Sequence, residues 1–380
     1  MRRPYTLIAG DFVATGGMDR ANLALALWLA KQGGPVRLVA HRIAEALRDF
    51  PNVRFIQVPK PAQSYLLGEP LLDAVGRAWA LRTRAEGGRV LANGGNCVVP
   101  GANWVHYVHG VYPSEPAGGA LRRLKGQVSQ RLYERGESKA LWRAHVIIAN
   151  SERTRADLVA ATGVPEARVH VVYYGSDPER FHPVSPAERE AARAALGWPT
   201  DRRVALFVGA LGDRRKGFDT LFEAWARLHS QGDWGADLKV VGVGAQREAW
   251  EQEARVRGLS ERIQFLGFRS DVPTLLSAAD LLVAPTRYEA YGLGVHEALC
   301  AGLPALVSRS AGVAERYPAA LKDLLLDDPD DVPGLVRALE SWRENEAAWA
   351  APVAELSESL RARTWDDMAS RLVEVMEREG

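Results

Sequence analysis

The chain has 380 residues, of which 47% are hydrophobic and 25% charged, with a formal net charge of +1. That length leans towards two domains, and that composition excludes disordered and collagen-like classes. A near-neutral chain gives no support to nucleic-acid binding, and any polyanion or membrane must be met by a local patch.

Apolar, β-rich runs alternate with helical patterns along the chain. The first half offers strands at Tyr5–Ala9, Val36–Ala40, Val53–Val58, Val90–Ala92, Trp104–Val108, Val146–Ala149 and Val169–Val172. The second half offers Val204–Val208, Leu238–Val241, Ile263–Leu266, Leu281–Ala284, Ala305–Val307 and Leu324–Leu326. Several are continuous apolar runs, as expected of strands buried on both faces of a parallel sheet. Helical spacing lies between them, for example at Ala21–Lys31, Thr154–Ala161, Thr220–His229, Arg247–Arg257 and Val295–Ala301. Such alternation implies right-handed βαβ units. The expectation is an α/β chain with two Rossmann-like, doubly wound parallel sheets. The turn-rich segment Gly175–Pro186 separates them, giving domains 1–178 and 179–364.

In doubly wound sheets ligands bind beyond the carboxyl ends of the strands, so the loops there carry the candidate residues. The first is Gly16-Gly17, where backbone can approach a ligand ahead of a helix starting near Asp19. The second is His109, just after a strand and before Gly110; His106 is expected to point into packing. Ser151 reads as a helix N-cap. After Val204–Val208 come Gly209 and the adjacent cations Arg215 and Lys216, a pair able to neutralise a diphosphate. Gly242 and the pair Phe268-Arg269 follow the next two strands. After Leu281–Ala284 the chain reads Glu289-Ala-Tyr291-Gly292-Leu293, with Glu297 eight positions beyond Glu289 and one turn into a helix. That helix start supplies backbone N–H donors for a phosphate, and the two carboxylates can accept from sugar hydroxyls on either side. The acidic run Asp327–Asp331 reads as a cap for a helix beginning near Val332 rather than a metal site.

The Glu289…Glu297 segment resembles the E-x7-E signature of retaining family-4 glycosyltransferases, with Ala290 and Tyr291 where Pro and Phe are common. Arg215-Lys216-Gly217 resembles that family's pyrophosphate clamp, although Ala210 stands where many members have Arg. The resemblance implies the GT-B fold, two Rossmann-like domains facing a cleft, with the C-terminal helix 365–380 packed back on the first. It implies that Glu289 contacts the donor sugar and Glu297 the nucleotide ribose. It further implies that His109 hydrogen-bonds the donor sugar, and that Gly16-Gly17 lies across from the phosphates. The implied donor is a UDP- or GDP-type nucleotide sugar, used without a metal or other cofactor. The implied catalytic set is His109, Glu289, Arg215 and Lys216. Gly16, Gly17, Gly209, Gly242, Phe268, Arg269, Tyr291, Gly292, Leu293 and Glu297 complete the donor site.

The acceptor is less legible, and a saccharide or a lipid-linked molecule would suit. Residues 121–143 hold seven cations against two acids, with Leu121, Leu124, Val128 and Leu132 at helical spacing. Such a helix either covers a packed stripe or meets an anionic membrane surface. Two scattered cysteines, Cys97 and Cys300, suggest a reducing compartment and no zinc site. No run approaches the ~20 apolar residues of a membrane span. The expected location is cytoplasmic, with peripheral contact at the inner membrane face. Two alternatives remain open: an epimerase- or phosphorylase-like enzyme of the same fold, and a catalytically silent sugar-nucleotide-binding protein.

Overall fold

The computed structural model describes residues 3–112, 120–212, 214–230, 232 and 234–379. It forms two compact units. The first contains the elements before residue 113, together with Leu124–Gly175 and Thr364–Gly380; the second contains Ser176–Arg363.

The first unit is built from β1 (Tyr5–Ile8), β2 (Asp11–Phe12), α1 (Gly17–Lys31), β3 (Val36–Ala40), β4 (Arg42–Ile43), β5 (Val53–Gln57), α2 (Tyr65–Ala85), β6 (Arg89–Asn93), β7 (Ala102–Val105), α3 (Ala120–Arg143), β8 (Val146–Ala149), α4 (Glu152–Thr162) and β9 (Val169–Val171). Its seven-stranded sheet runs β5-β3-β1-β6-β7-β8-β9, and every pairing is parallel. The central strands are mostly apolar, with Thr6 of β1 and Asn103 of β7 the buried polar exceptions in their middles, so both faces must be covered. All four residues of β8, Val-Ile-Ile-Ala, are buried. The C-terminal helix Trp365–Glu379 lies against α1 and belongs to this sheet's helical layer. The expected strand Trp104–Val108 ends early, at Val105, which leaves both His106 and His109 in the following loop.

The second unit comprises α5 (Pro186–Leu196), β10 (Arg203–Val208), α6 (Phe218–Ser230), β11 (Ala236–Val241), α7 (Arg247–Val256), β12 (Ile263–Gly267), α8 (Val272–Ala278), β13 (Leu281–Ala284), α9 (Leu293–Cys300), β14 (Ala305–Ser308), β15 (Leu325–Leu326) and α10 (Val332–Arg361). Its parallel sheet runs β12-β11-β10-β13-β14-β15. Strand order reverses between β10 and β13, the switch point where open α/β sheets open a crevice for ligand. All six residues of β11 are buried, including two charged ones. They survive there because each is answered: Asp237 takes Arg202 Nε at 3.0 Å, and Lys239 reaches Gln264 at 2.9 Å.

Helix starts follow the side chains present. Ser151 accepts from Thr154 N–H at 2.9 Å. Ser185 and Glu188 form a reciprocal capping box ahead of α5. Asp331 accepts from Gly334 N–H at 3.0 Å, so the acidic run does cap α10. Among the described residues no cluster of His, Cys, Asp and Glu has the makings of a metal site. Among them, no helix is long and apolar enough to cross a membrane.

Candidate functional site

In the second unit the candidate residues gather at the switch point. The loop after β10 carries Arg215 and Lys216; the loop after β13 carries Glu289. They are stitched together by backbone: Arg287 N–H donates to Arg215 C=O at 2.8 Å, and Thr286 Oγ1 donates to the same carbonyl at 2.9 Å. Gly217 lets the two loops touch. Its φ is +70°, and a Cβ there would stand 1.8 Å from the Pro285 carbonyl oxygen.

Lys216 Nζ donates to Glu289 Oε2, and Arg215 lies 3.6 Å from that oxygen. Arg215 also donates to Tyr288 C=O at 3.2 Å. Burial by itself would raise the Glu289 pKa; the charges of Lys216 and Arg215 outweigh it and hold the carboxyl below its ordinary value. Glu289 is therefore an anion at neutral pH, set between two cations. Gly292 brings its own backbone beside it, since a Cβ there would lie 3.3 Å from Glu289 Cγ. With φ at +105°, Gly292 turns the chain straight into α9. No side-chain hydrogen bond caps that helix start, and the first N–H groups of a helix are the kind of donor an anion takes. Glu297 sits five residues further, about 7 Å along the helix axis, and is 8% exposed.

Tyr291 differs from expectation. Its ring is buried, and its hydroxyl lies 2.9 Å from His296 Nδ1. Packing has claimed the side chain, and the Tyr291 carbonyl accepts Val313 N–H at 2.6 Å. Leu293 is likewise buried.

The neighbouring strand ends form a second tier. Gly209 N–H bonds Val241 C=O at 2.9 Å, and Gly242 N–H bonds Gly267 C=O at 2.8 Å. A Cβ on Gly242 would collide with the Gly209 carbonyl at 1.8 Å, so these loops lie backbone on backbone. Gly209 is also close to the clamp, its would-be Cβ 3.3 Å from Lys216 Cγ. Next to Gly267, Phe268 is 71% exposed and offers an open aromatic face, while Arg269 is paired with Asp271.

Arg287 was not picked out from sequence. It is 11% exposed and joins Asp219 at 2.8 Å and Asp330 at 2.9 Å, so it bolts the Glu289 loop to α6 and to the α10 cap. Asp219 also takes Arg214 Nε at 2.9 Å, which commits Arg214 to that acid. The only sequence hint for Arg287 was its place two residues before Glu289.

In the first unit, Gly16 precedes α1 with φ of +85°, and α1 begins at Gly17, two residues before the expected start. Asp19 lies in its first turn, its pKa pushed up to about 6 by burial and by the neighbouring Asp11. Asp11 itself is fully buried and held by Arg42 at 2.7 Å and Tyr65 at 2.5 Å. His106 is buried against Tyr174, as expected of a packing residue. His109 is one-third exposed and bonds Glu137 of α3 through Nδ1 at 3.0 Å.

Residues 188–363 match the family of glycosyl transferases group 1, and residues 15–180 match Glycosyltransferase Family 4. The lipopolysaccharide core biosynthesis mannosyltransferase LpsB of Rhizobium meliloti (strain 1021) is 31% identical over 242 residues, 62% of this chain. That match spans 65% of the relative, just under two thirds of its length. WaaG, a glycosyltransferase involved in lipopolysaccharide biosynthesis, superimposes over 98% of this chain and 100% of its own with a TM-score of 0.75 at 23% identity. Anabaena Alr3699/HepE, solved with UDP and glucose, superimposes over 99% of each chain with a TM-score of 0.70 at 19% identity. At those identities the two structures speak for the fold. The chain belongs to the group 1, family-4 glycosyltransferases and has the GT-B fold.

Proposed function

We propose that this protein is a retaining, metal-independent glycosyltransferase that takes a hexose-type sugar from a nucleotide-diphosphate sugar. The observation that carries the reading is the loop pair at the β10–β13 switch point. It unites two cations, an anionic glutamate and an open helix start within a few ångströms. Departure of a nucleoside diphosphate builds negative charge on its phosphate oxygens. Arg215, Lys216 and the N–H groups opening α9 are set in place to stabilise it, and this is electrostatic catalysis without a metal. Glu289, kept anionic, accepts from hydroxyls of the donor sugar. Glu297 accepts from the ribose, and the strand-end loops at Gly209, Gly242 and Phe268-Arg269 take the base. The family resemblance would add Gly16, Gly17 and His109 as groups for the donor sugar and phosphates.

The anomeric carbon loses its phosphate oxygen and gains the acceptor oxygen on the same face, and the departing phosphate takes the acceptor's proton. No protein nucleophile is required for that route. Support for the donor class comes from Alr3699/HepE, whose structure holds UDP and glucose. Support for a saccharide or lipid-linked acceptor in envelope polysaccharide or glycolipid synthesis comes from the lipopolysaccharide roles of LpsB and WaaG. The experiment is a series of UDP-, GDP-, ADP- and dTDP-sugars in excess EDTA, read by binding and by the anomer first released. A β-anomer released first from an α-linked donor would refute retention.

A cytoplasmic location with peripheral contact at an anionic inner membrane face is part of the proposal. On α3, Val128 and Leu132 are each 50% exposed, among Arg131, Arg135 and Lys139. The side chains of Leu121, Arg122, Arg123, Leu124 and Lys125 lie outside the described residues. The protein should pellet with phosphatidylglycerol vesicles at low salt and stay in solution with phosphatidylcholine. Changing Val128 and Leu132 to serine should abolish pelleting; equal pelleting of this variant would end the idea.

A further inference from the structure

Among the described residues, the hydrogen bonds to His109 come from α3. The His109 loop follows β7, and its ring lies beside Tyr107 and Tyr133, with centroids 5.3 and 5.4 Å away. Glu137 of α3 engages it with both carboxylate oxygens. One accepts the backbone N–H of His109 and the other faces Nδ1, each at 3.0 Å. Gln130, two turns earlier on α3, donates to the His109 carbonyl. The Glu137 side chain is only 2% exposed, whereas that of His109 is 32% exposed.

The burial of Glu137 has a visible cause. A Cβ on Gly95 would stand 3.1 Å from Glu137 N and 3.4 Å from its Cα, so the Gly94-Gly95 turn after β6 lies directly on the helix. A carboxylate shut in this way is costly unless its charge is answered. The group that answers it is the His109 imidazole.

We propose that Glu137 is the positioning residue for His109, locking the imidazole by its Nδ1 edge so that Nε2–H is left as the hydrogen-bond donor for the nucleotide sugar. This rests on the donor-site reading of His109 given above. For Glu137 to accept, Nδ1 must carry a proton, and a cationic ring then carries a second one on Nε2. Burial alone would lower the His109 pKa. The bond to Glu137, its charge, and the further charges of Glu69 on α2 and Glu134 on α3 outweigh burial and raise it. Glu69 is itself pushed up by burial, and the Tyr133 phenol is raised in the same way. Glu137 is thus both the geometric anchor of the ring and the chief group that raises its pKa against burial.

The test is Glu137→Gln, which keeps the size of the side chain and an acceptor oxygen but removes the charge; Glu137→Asp is its charged counterpart. The His109 imidazole is titrated by NMR in each, with no donor present. In Glu137→Gln the pKa of His109 should fall by about one unit or more, because burial is no longer opposed. Glu137→Asp should recover part of the shift. With donor, kcat/KM of Glu137→Gln should fall at least about tenfold, and its alkaline limb should move to lower pH with the imidazole. In a His109→Ala background, Glu137→Gln should change kcat/KM by less than about twofold, since the two act as one unit. An unchanged His109 titration would overturn the proposal. So would a full loss from Glu137→Gln in the His109→Ala background, which would mean Glu137 acts through the helix and not through the ring. The titration needs no nucleotide sugar, so it judges the pair even if the wild type bound none of the donors offered.

Discussion

Lys216→Ala should lower kcat/KM for the nucleotide sugar by about 10²–10³-fold, the magnitude seen when one pre-placed charge-stabilising donor is removed from an active site. Lys216 is the direct hydrogen-bond partner of Glu289, with Arg215 the more distant cation at 3.6 Å. Its removal therefore takes away both a donor for the leaving diphosphate and the group that keeps Glu289 ionised. The pH dependence separates this from a general loss of fold. In the wild type the Glu289 pKa lies below its ordinary value, so the carboxylate persists well into acid. Without Lys216 burial is less opposed, the Glu289 pKa rises, and the acid limb of kcat/KM moves to higher pH. Lys216→Arg should restore much of the acid limb because the charge returns. Wild-type kcat/KM in Lys216→Ala, or an acid limb that does not move, would remove the clamp from the account.

The second large effect is expected at Gly217. Alanine there must adopt φ of +70° and place a methyl 1.8 Å from the Pro285 carbonyl oxygen. A backbone clash cannot be relieved by a rotamer change, so the β10 and β13 loops must separate. A loss of about 2–4 kcal/mol is expected, which lowers the melting temperature of a unit this size by roughly 5–15 °C. The proper control is Gly258→Ala. Its φ is +68°, almost the same, but nothing lies within 4 Å of the added Cβ. That variant should show only the conformational cost of about 1 kcal/mol. Calorimetry on the two proteins isolates the clash, and equal melting temperatures would show that the loops are not pressed together. Gly217→Ala should also bind donor poorly at temperatures where it remains folded, because separating the loops strains the Arg287–Arg215 and Thr286–Arg215 hydrogen bonds that set Lys216 opposite Glu289.

Much of this layout was readable beforehand. The strands at Val36–Ala40, Val146–Ala149 and Leu281–Ala284 fall where continuous apolar runs place them. Short buried parallel strands leave little freedom in that respect, since a polar end residue marks the edge of the sheet. That Arg215, Lys216 and Glu289 lie in loops at strand ends of one doubly wound sheet was readable, whereas the ion pairing of residues seventy-odd positions apart came only with the fold. What stayed hidden depends on side-chain direction. Tyr291 sits in the middle of the signature, but packing against His296 turns its ring inward. Arg287 carries no pattern of its own, and its worth comes from Asp219 and Asp330, which meet it only in the fold. Glu137 looked like one of two acids on a basic helix. Only the close approach of the Gly94-Gly95 turn makes it a buried anchor for His109. The two-residue strands β2 and β4 were also missed, because two residues carry no readable period; the Asp11–Arg42 pair at that ribbon is a contact across 31 positions.

The most direct test of the central claim is a thermal-shift titration of the full chain with UDP-, GDP-, ADP- and dTDP-sugars in excess EDTA. A ligand that binds only the folded state must raise the melting temperature, by an amount set by concentration over Kd. The account predicts a clear rise for one nucleotide class with the metal chelated, and loss of that rise in Lys216→Ala and Glu297→Ala. A rise that vanishes when EDTA is added would contradict the metal-free site, and a rise retained in both variants would contradict the placement of the donor at the β10–β13 switch point.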